Sequence, residues 1–255
     1  MKRILKRISI VILLMYLSMG FFLFLNQHSF LYFPTADLPT KHGSFTFSNE
    51  GENIHVIELN PGQVNAILYF GGNAESMAKS SDYIAGQFPE FTVYLMDYRG
   101  YGASTGEASE VGLYSDALKL YDRVKVKHQE VSIGGRSLGT GIATYVAAHR
   151  EVKSLALITP YDSIVNVAQE MYPFYPVDLL LNDSYNSLAS VKAINAKVLI
   201  VIAEKDRVIL RTHTQNLIDA FEEKQLEVVV IKNRGHIDIS SDKRYYKIMQ
   251  DFIRE

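Results

Sequence analysis

Residues 133–141 read Ile-Gly-Gly-Arg-Ser-Leu-Gly-Thr-Gly and contain the pattern Gly-x-Ser-x-Gly between an apolar stretch and a helical one. A serine on a sharp turn from strand to helix needs neighbours without side chains, because the helix crosses close to the strand. Gly135 and Gly139 would supply that clearance. The segment therefore predicts that Ser137 is a nucleophile; a glycine-rich helix start without chemistry is the alternative interpretation.

Eight short segments around this turn have the composition of strands. After the third segment, most neighbouring segments are separated by a stretch with helical periodicity. They are residues 44–47, 54–59, 65–70, 92–97, 130–134, 154–159, 197–203 and 226–231. Residues 198–202 are apolar without alternation, which is typical of strands covered on both faces. The pattern predicts an α/β fold with a mostly parallel central sheet and helices on both faces. The first strands have no helices between them and are expected to pair antiparallel.

Composition limits the classes of function. A chain of 255 residues is long enough for one domain with a full core. Its net charge of −2 gives no electrostatic reason to expect nucleic acid. The lack of cysteine excludes disulfides, thiolate metal sites and a cysteine nucleophile. The glycines match neither a dinucleotide fingerprint nor a P-loop, and no His/Asp/Glu cluster has metal-ligand spacing, so we expect no cofactor and no metal.

The N-terminus has the pattern of a membrane anchor. An uncharged run over residues 8–25 follows four basic residues, Lys2, Arg3, Lys6 and Arg7. Eighteen residues of helix reach about 27 Å, close to a hydrocarbon core of about 30 Å. The basic flank predicts a cytoplasmic N-terminus, an anchor over residues 1–28 and an extracytoplasmic domain over residues 29–255. A cleaved signal peptide is the alternative, although no clean Ala-x-Ala follows the run. A chain that begins near Ser29 is expected to be soluble and active.

A serine hydroxyl needs a base to take its proton and an acid to orient the base. In proteins with such a serine turn, the acid and then the histidine follow the serine along the chain. His236 comes after the last predicted strand, and Asp206 comes after the strand before it. We therefore expect Ser137, Asp206 and His236 to form a catalytic triad. Glu204 and, more remotely, Asp162 are the alternative acids; of the other histidines after Ser137, His149 is expected to be structural and His213 a solvent-exposed residue near a helix start.

Two backbone N–H groups are expected to stabilise an oxyanion. One is that of Leu138, directly after the serine, and the other follows the third strand at Asn73, with Gly72 as the alternative.

Residues 161–192 separate two strands by more than a simple crossover needs. We expect them to form a short helical cap over the carboxyl edge of the sheet.

Residues 96–106 form a further motif and read Met-Asp-Tyr-Arg-Gly-Tyr-Gly-Ala-Ser-Thr-Gly. They resemble the Asp-Tyr-Arg-Gly-Tyr-Gly-x-Ser-x-Gly of the family of small, often membrane-anchored ABHD-type α/β-hydrolases. Residues 69–74, Tyr-Phe-Gly-Gly-Asn-Ala, resemble its Phe-His-Gly-Asn-Ala, except that Gly71 replaces the histidine. Shorter matches, in order, are residues 31–34, 135–139, 160–163 and 204–206. The resemblance implies the α/β-hydrolase fold and ester or thioester hydrolysis on acyl substrates, while related members are described as peptidases or depalmitoylases.

The expected function is therefore that of a membrane-bound serine hydrolase acting on a small-molecule or lipid-like acyl substrate. Gly71 belongs to residues 71–75, here named the oxyanion loop, which also contain Asn73. The exception at Gly71 therefore bears on the shape of this loop and on substrate preference, not on the triad. A serine peptidase is the runner-up, and a membrane-tethered binding protein without activity is a third possibility, since fold alone does not establish chemistry. The sequence indicates no oligomeric state.

Overall fold

A computed structural model describes all residues from Met1 to Glu255. Eight strands form one sheet, at or within two residues of the predicted positions. They are β1 (Gly43–Asn49), β2 (Glu52–Leu59), β3 (Ala66–Phe70), β4 (Thr92–Met96), β5 (Val131–Arg136), β6 (Ser154–Ile158), β7 (Lys197–Ala203) and β8 (Leu226–Ile231).

The strands lie in the order β1-β2-β4-β3-β5-β6-β7-β8. The pairs β1–β2 and β2–β4 are antiparallel, and every other pair is parallel. Glu50 and Gly51 join β1 to β2, and both have positive φ, as the tightest hairpin turns require. The predicted fold class, including its antiparallel start, is confirmed.

Nine α-helices accompany the sheet. They are α1 (Lys2–Leu31), α2 (Met77–Gln87), α3 (Glu110–Lys125), α4 (Leu138–His149), α5 (Ile164–Met171), α6 (Val177–Leu180), α7 (Ser187–Val191), α8 (Arg211–Ala220) and α9 (Arg244–Arg254). Ser76, Ser109 and Ser163 cap the N-termini of α2, α3 and α5 by accepting a backbone N–H three residues later.

Both faces of the sheet are buried, and β7 shows how. Val198, Ile200 and Ile202 belong to the core under α3, α4, α7 and α8. Leu199 and Val201 belong to the core under α2 and α9. Since successive side chains of a strand point to opposite faces, a strand covered on both faces must be apolar at every position.

Two further parts of the chain border the site of Ser137. Helix α1 is long and apolar enough to cross a membrane, with a mean hydropathy of 2.5 over its most apolar window and no buried residue. Residues 161–192 contain the three short helices α5, α6 and α7 between β6 and β7. The first two of these helices, together with the segment that joins them, border the cavity at Ser137. The fold thus presents α1 and this helical segment on the side of the sheet that carries the serine.

Candidate active site

Ser137 lies on a strained turn between β5 and α4. Its φ of 48° and ψ of −118° are values that residues with a side chain rarely adopt. The backbone N–H of Ser137 donates to Ile158 O at 2.9 Å, which ties the turn to β6. A Cβ at Gly135 would stand 2.5 Å from Gly139 O, and one at Gly139 would stand 2.6 Å from Gly71 O. Glycine is therefore required at both positions for α4 to cross this close to the sheet.

Ser137, His236 and Asp206 are joined by hydrogen bonds. Ser137 Oγ lies 2.8 Å from His236 Nε2, and His236 Nδ1 lies 2.8 Å from Asp206 Oδ2. A carboxylate can only accept, so Nδ1 carries the proton and Nε2 is the acceptor for the serine hydroxyl. The side chains of His236 and Asp206 are only 12% and 7% exposed. The three residues, 30 to 99 positions apart in the chain, thus form one relay.

The loops that carry Asp206 and His236 are fixed to each other. Asp206 Oδ1 accepts the backbone N–H groups of Val208 and Ile209, both at 2.9 Å, so the other carboxylate oxygen is left for the histidine. Glu204, the alternative acid, instead accepts the backbone N–H of Asn233 at 2.7 Å. Glu204 therefore holds the loop before His236 and does not contact the imidazole.

Asn73 and Leu138, the predicted oxyanion donors, line the same cavity as Ser137. The N–H of Gly72, the alternative donor, is already bonded to Glu75 Oε2 at 2.8 Å. The side chain of Asn73 is also occupied: Nδ2 donates to Leu31 O at 2.6 Å, and Oδ1 accepts the Phe33 N–H at 3.0 Å. The backbone N–H of Asn73 makes no hydrogen bond, which leaves it available to a ligand.

The segment Asp97–Gly102 supports this oxyanion loop from behind. Tyr98 donates its hydroxyl to Gly71 O at 2.7 Å, and Tyr101 donates to Asn73 Oδ1 at 2.8 Å. Burial raises the pKa of Tyr98 well above its usual value, so the phenol remains a neutral donor. This part of the motif at residues 96–106 thus positions the loop and makes no hydrogen bond to Ser137.

Arg136 links three parts of the site, a role that its sequence position does not reveal. Its Nη2 donates to the carbonyl of Ile237 at 3.0 Å and to that of His236 at 3.4 Å. Its Nη1 lies 3.7 Å from the Glu75 carboxylate that accepts the Gly72 N–H. The residue before the serine therefore connects the histidine loop to the oxyanion loop.

The other candidate residues lie away from this relay. His213 is only 6% exposed and lies between the carboxylates of Asp162, at 3.1 Å, and Glu170, at 2.8 Å. The prediction that His213 is solvent-exposed is therefore wrong, because the cap helix α5 brings Glu170 over it. Asp162 also accepts from Asn166 and Asn216, so this carboxylate joins the cap to α8. His149 ends α4, where its ring lies 4.1 Å from that of Tyr145.

A cavity of about 620 Å³ lies above Ser137 and His236. Its walls are mostly apolar, with side chains from the cap such as Val167 and Tyr175, and from α1 such as Leu23 and Phe24. Where the expected histidine is replaced, the methyl group of Met77 occupies the space that a side chain at Gly71 would need. The cavity suits a substrate whose apolar part packs against these walls and whose polar end lies at Ser137.

A sequence model of the family described as alpha/beta hydrolase fold matches residues 65–186. The chain has the α/β-hydrolase fold. An uncharacterized protein of Mycobacterium tuberculosis is 28% identical to this hydrolase over 85% of its length and 83% of the relative's. Human alpha/beta hydrolase domain-containing protein 17B is 26% identical over 78% of this chain and 69% of its own.

Solved structures agree with the fold of this hydrolase. The Pyrococcus furiosus esterase Pf2001 superposes with a TM-score of 0.68 at 15% identity, covering 88% of this chain and 98% of the esterase. The enol-lactonase of Burkholderia xenovorans superposes with a TM-score of 0.65 at 16% identity, covering 83% of this chain and all of the lactonase. At these identities the likeness shows the shared fold, and the chemistry has to be argued from the site itself.

Proposed function

We propose that this hydrolase cleaves carboxylic ester or thioester bonds of acyl substrates through Ser137, His236 and Asp206. The observation that carries the proposal is the continuous relay from Asp206 through His236 to a strained serine, at the base of an apolar cavity. Relay geometry of this kind activates a hydroxyl that is otherwise a poor nucleophile. The apolar cavity supports an acyl group as the part of the substrate that is held.

In the proposed reaction Ser137 Oγ attacks the substrate carbonyl carbon while His236 Nε2 takes the hydroxyl proton. The negative charge that develops on the carbonyl oxygen is stabilised by hydrogen bonds that the backbone N–H groups of Leu138 and Asn73 donate. Asp206 keeps the imidazole in the required tautomer and stabilises its positive charge. His236 then gives the proton to the leaving oxygen or sulfur, which leaves an acyl group on Ser137. Water, deprotonated by His236, releases the acid and regenerates the serine.

A serine-directed fluorophosphonate probe tests the nucleophile. The full-length chain should be labelled and should hydrolyse p-nitrophenyl esters, whereas Ser137→Ala should show no labelling and a kcat lower by roughly 10⁴-fold or more. The variant should keep its fold because alanine is smaller than serine. Retention of a tenth of the activity by Ser137→Ala would remove this serine from the mechanism.

A substrate series then separates the classes of hydrolysis. Acyl esters of increasing chain length, acyl thioesters and aminopeptidase substrates can be compared on the same sample. Turnover of the esters or thioesters supports the proposal. Turnover of the peptide substrates alone makes the enzyme a peptidase, and turnover of none favours a binding protein.

We further propose that residues 1–28 anchor the domain of residues 29–255 to a membrane, with the N-terminus in the cytoplasm and the catalytic domain outside. The length and hydropathy of α1 and the four basic residues at its start support this arrangement. The chain should resist carbonate extraction from membranes, and external protease should reach the domain in spheroplasts. A mature N-terminus near residue 29, found by mass spectrometry, would instead identify a cleaved signal peptide.

A further inference from the structure

Helix α1 does not stand apart from the domain as a simple tether would. Its Tyr16 ring stacks on Tyr175 of the cap, with centroids 4.6 Å apart and planes within 5°. One turn further along, Gly20 faces the same Tyr175 ring, and a Cβ at Gly20 would stand 2.8 Å from it. The second half of the apolar run therefore packs along the cap.

The polar side chains of this half of α1 bond the backbone of the cap. Tyr16 donates its hydroxyl to Phe174 O at 2.6 Å. Gln27 donates to Leu180 O at 3.3 Å and accepts the N–H of Asn182 at 2.8 Å. Irregular backbone persists at membrane depth only where its polar groups are paired within the protein. These bonds are the kind of pairing that a cap lying in lipid requires.

The cap also carries apolar side chains that nothing in the chain covers. Phe174 is 83% exposed, Leu179 80% and Met171 64%. They belong to residues 171–181, here named the cap tip, in which Asp178 is the sole charged residue. Exposed apolar patches mark surfaces that bind a protein, a ligand or a membrane, and this one adjoins a helix long and apolar enough to cross a membrane. Because Tyr16 lies within the apolar run of α1 and contacts Phe174 and Tyr175, the cap tip lies beside that run.

The same stretch of α1 forms a wall of the cavity at Ser137. Gly20, Leu23, Phe24 and Leu31 line it together with the serine. Leu31 O is bonded to the side chain of Asn73, so this end of the wall lies at the oxyanion loop. From Leu31 back to Gly20 the helix rises by about 16 Å at ~1.5 Å per residue. Gly20, Leu23 and Phe24 lie within the apolar run of residues 8–25, and Leu31 lies six residues beyond it, so the wall leads from the apolar run of α1 to the oxyanion loop.

We propose that the cavity opens between α1 and the cap tip into the leaflet where α1 ends, and that it receives there the acyl chain of a membrane lipid ester. In this arrangement α1 is part of the acyl-binding site as well as the anchor, and the substrate reaches Ser137 laterally through the membrane. The inference rests on the proposed function and names its substrate class.

The position of the cap tip relative to the membrane can be measured without an activity assay. The chain contains no tryptophan, so Phe174→Trp introduces a single fluorescent reporter at the tip. Val126→Trp is the matched control, since Val126 is 84% exposed at the end of α3, away from the cap. With full-length protein in phosphatidylcholine vesicles, brominated lipid should quench the reporter at position 174 and not the one at position 126. Quenching of position 174 by aqueous iodide in place of brominated lipid overturns the inference.

The role of α1 in acyl binding is tested by Gly20→Leu, which adds a side chain between the helix and Tyr175. Ser18→Leu is the control, because Ser18 is exposed and lies on the other side of the helix. In vesicles, Gly20→Leu should lower the ratio of p-nitrophenyl palmitate to p-nitrophenyl butyrate turnover by roughly tenfold or more, as expected when a fitted apolar pocket is filled. Ser18→Leu should leave that ratio within twofold. An unchanged ratio in Gly20→Leu overturns α1 as an acyl wall.

These outcomes are distinct from failure of the proposed function. A chain that reacts with fluorophosphonate and hydrolyses butyrate, yet has a water-exposed residue 174, remains a serine hydrolase and loses the lateral entrance. A chain that hydrolyses neither ester loses the proposed function and the acyl site with it, while lipid quenching at residue 174 would still support the placement of the cap tip.

Discussion

Gly139→Ala tests whether the spacing between α4 and the oxyanion loop controls catalysis. The new Cβ would stand 2.6 Å from Gly71 O and closer still to Phe70 O, whereas real Cβ atoms keep at least 3.0 Å and ordinary contact begins at 3.4 Å. Gly71 O must therefore move by about 0.4 to 0.8 Å, and Phe70 O by more. Gly71 lies two residues before Asn73, so its displacement is passed to the proposed oxyanion donor.

The expected fall in kcat follows from a comparison of two costs of Gly139→Ala, one in stability and one in rate. Overpacking of this kind costs about 1–3 kcal/mol, which a domain with about 5–15 kcal/mol of stability survives. A misplacement approaching 1 Å costs about 10²-fold in rate, and loss of one oxyanion donor costs about 10² to 10³-fold. We therefore expect kcat to fall by roughly 10²-fold while most of the protein remains folded, so catalysis should be affected more than stability.

The assay is kcat and KM for p-nitrophenyl butyrate, with urea unfolding measured on the same preparations. Gly86→Ala is the control, because a Cβ at Gly86 on α2 meets nothing within 4 Å and alanine favours the helix by about 0.5–1 kcal/mol. Gly86→Ala should keep wild-type kcat and unfold at slightly higher urea. If Gly139→Ala is folded and keeps kcat within threefold of wild type, the oxyanion loop has been placed in the wrong position.

Three further outcomes follow from the site and from α1. His236→Ala should reduce kcat nearly as much as loss of Ser137, and Asp206→Asn somewhat less, because Asp206 orients the imidazole without transferring the proton. Glu204→Gln should lower kcat much less than Asp206→Asn, since Glu204 contacts Asn233 and not the imidazole. If Glu204→Gln abolishes activity while Asp206→Asn does not, Glu204 is the acid of the triad and Asp206 is not. A chain beginning at Ser29 should be soluble and hydrolyse the butyrate ester but lose most of its preference for palmitate, whereas an unchanged chain-length profile would argue that α1 is only a tether.

The sequence by itself determined the features that depend on neighbouring residues. The serine turn follows from glycines two positions on either side of Ser137, and the two-sided strands follow from unbroken apolar runs such as residues 198–202. The long apolar helix α1 follows from an uncharged run of 18 residues behind a basic flank. In each case the physical cause acts within one element, so its pattern is visible without knowledge of the rest of the chain.

The tertiary structure decided what depends on contacts between distant segments. Glu204 and Asp206 are two positions apart and equally suited by type, and only the path of the two loops directs Asp206 to His236. His213 is buried because α5, more than 40 positions away, brings Glu170 against it. The packing of α1 on the cap has the same origin, since an apolar helix carries no local mark of whether protein or lipid will cover it. These contacts depend on the whole fold, because the partner of a side chain is determined only when distant segments have packed together.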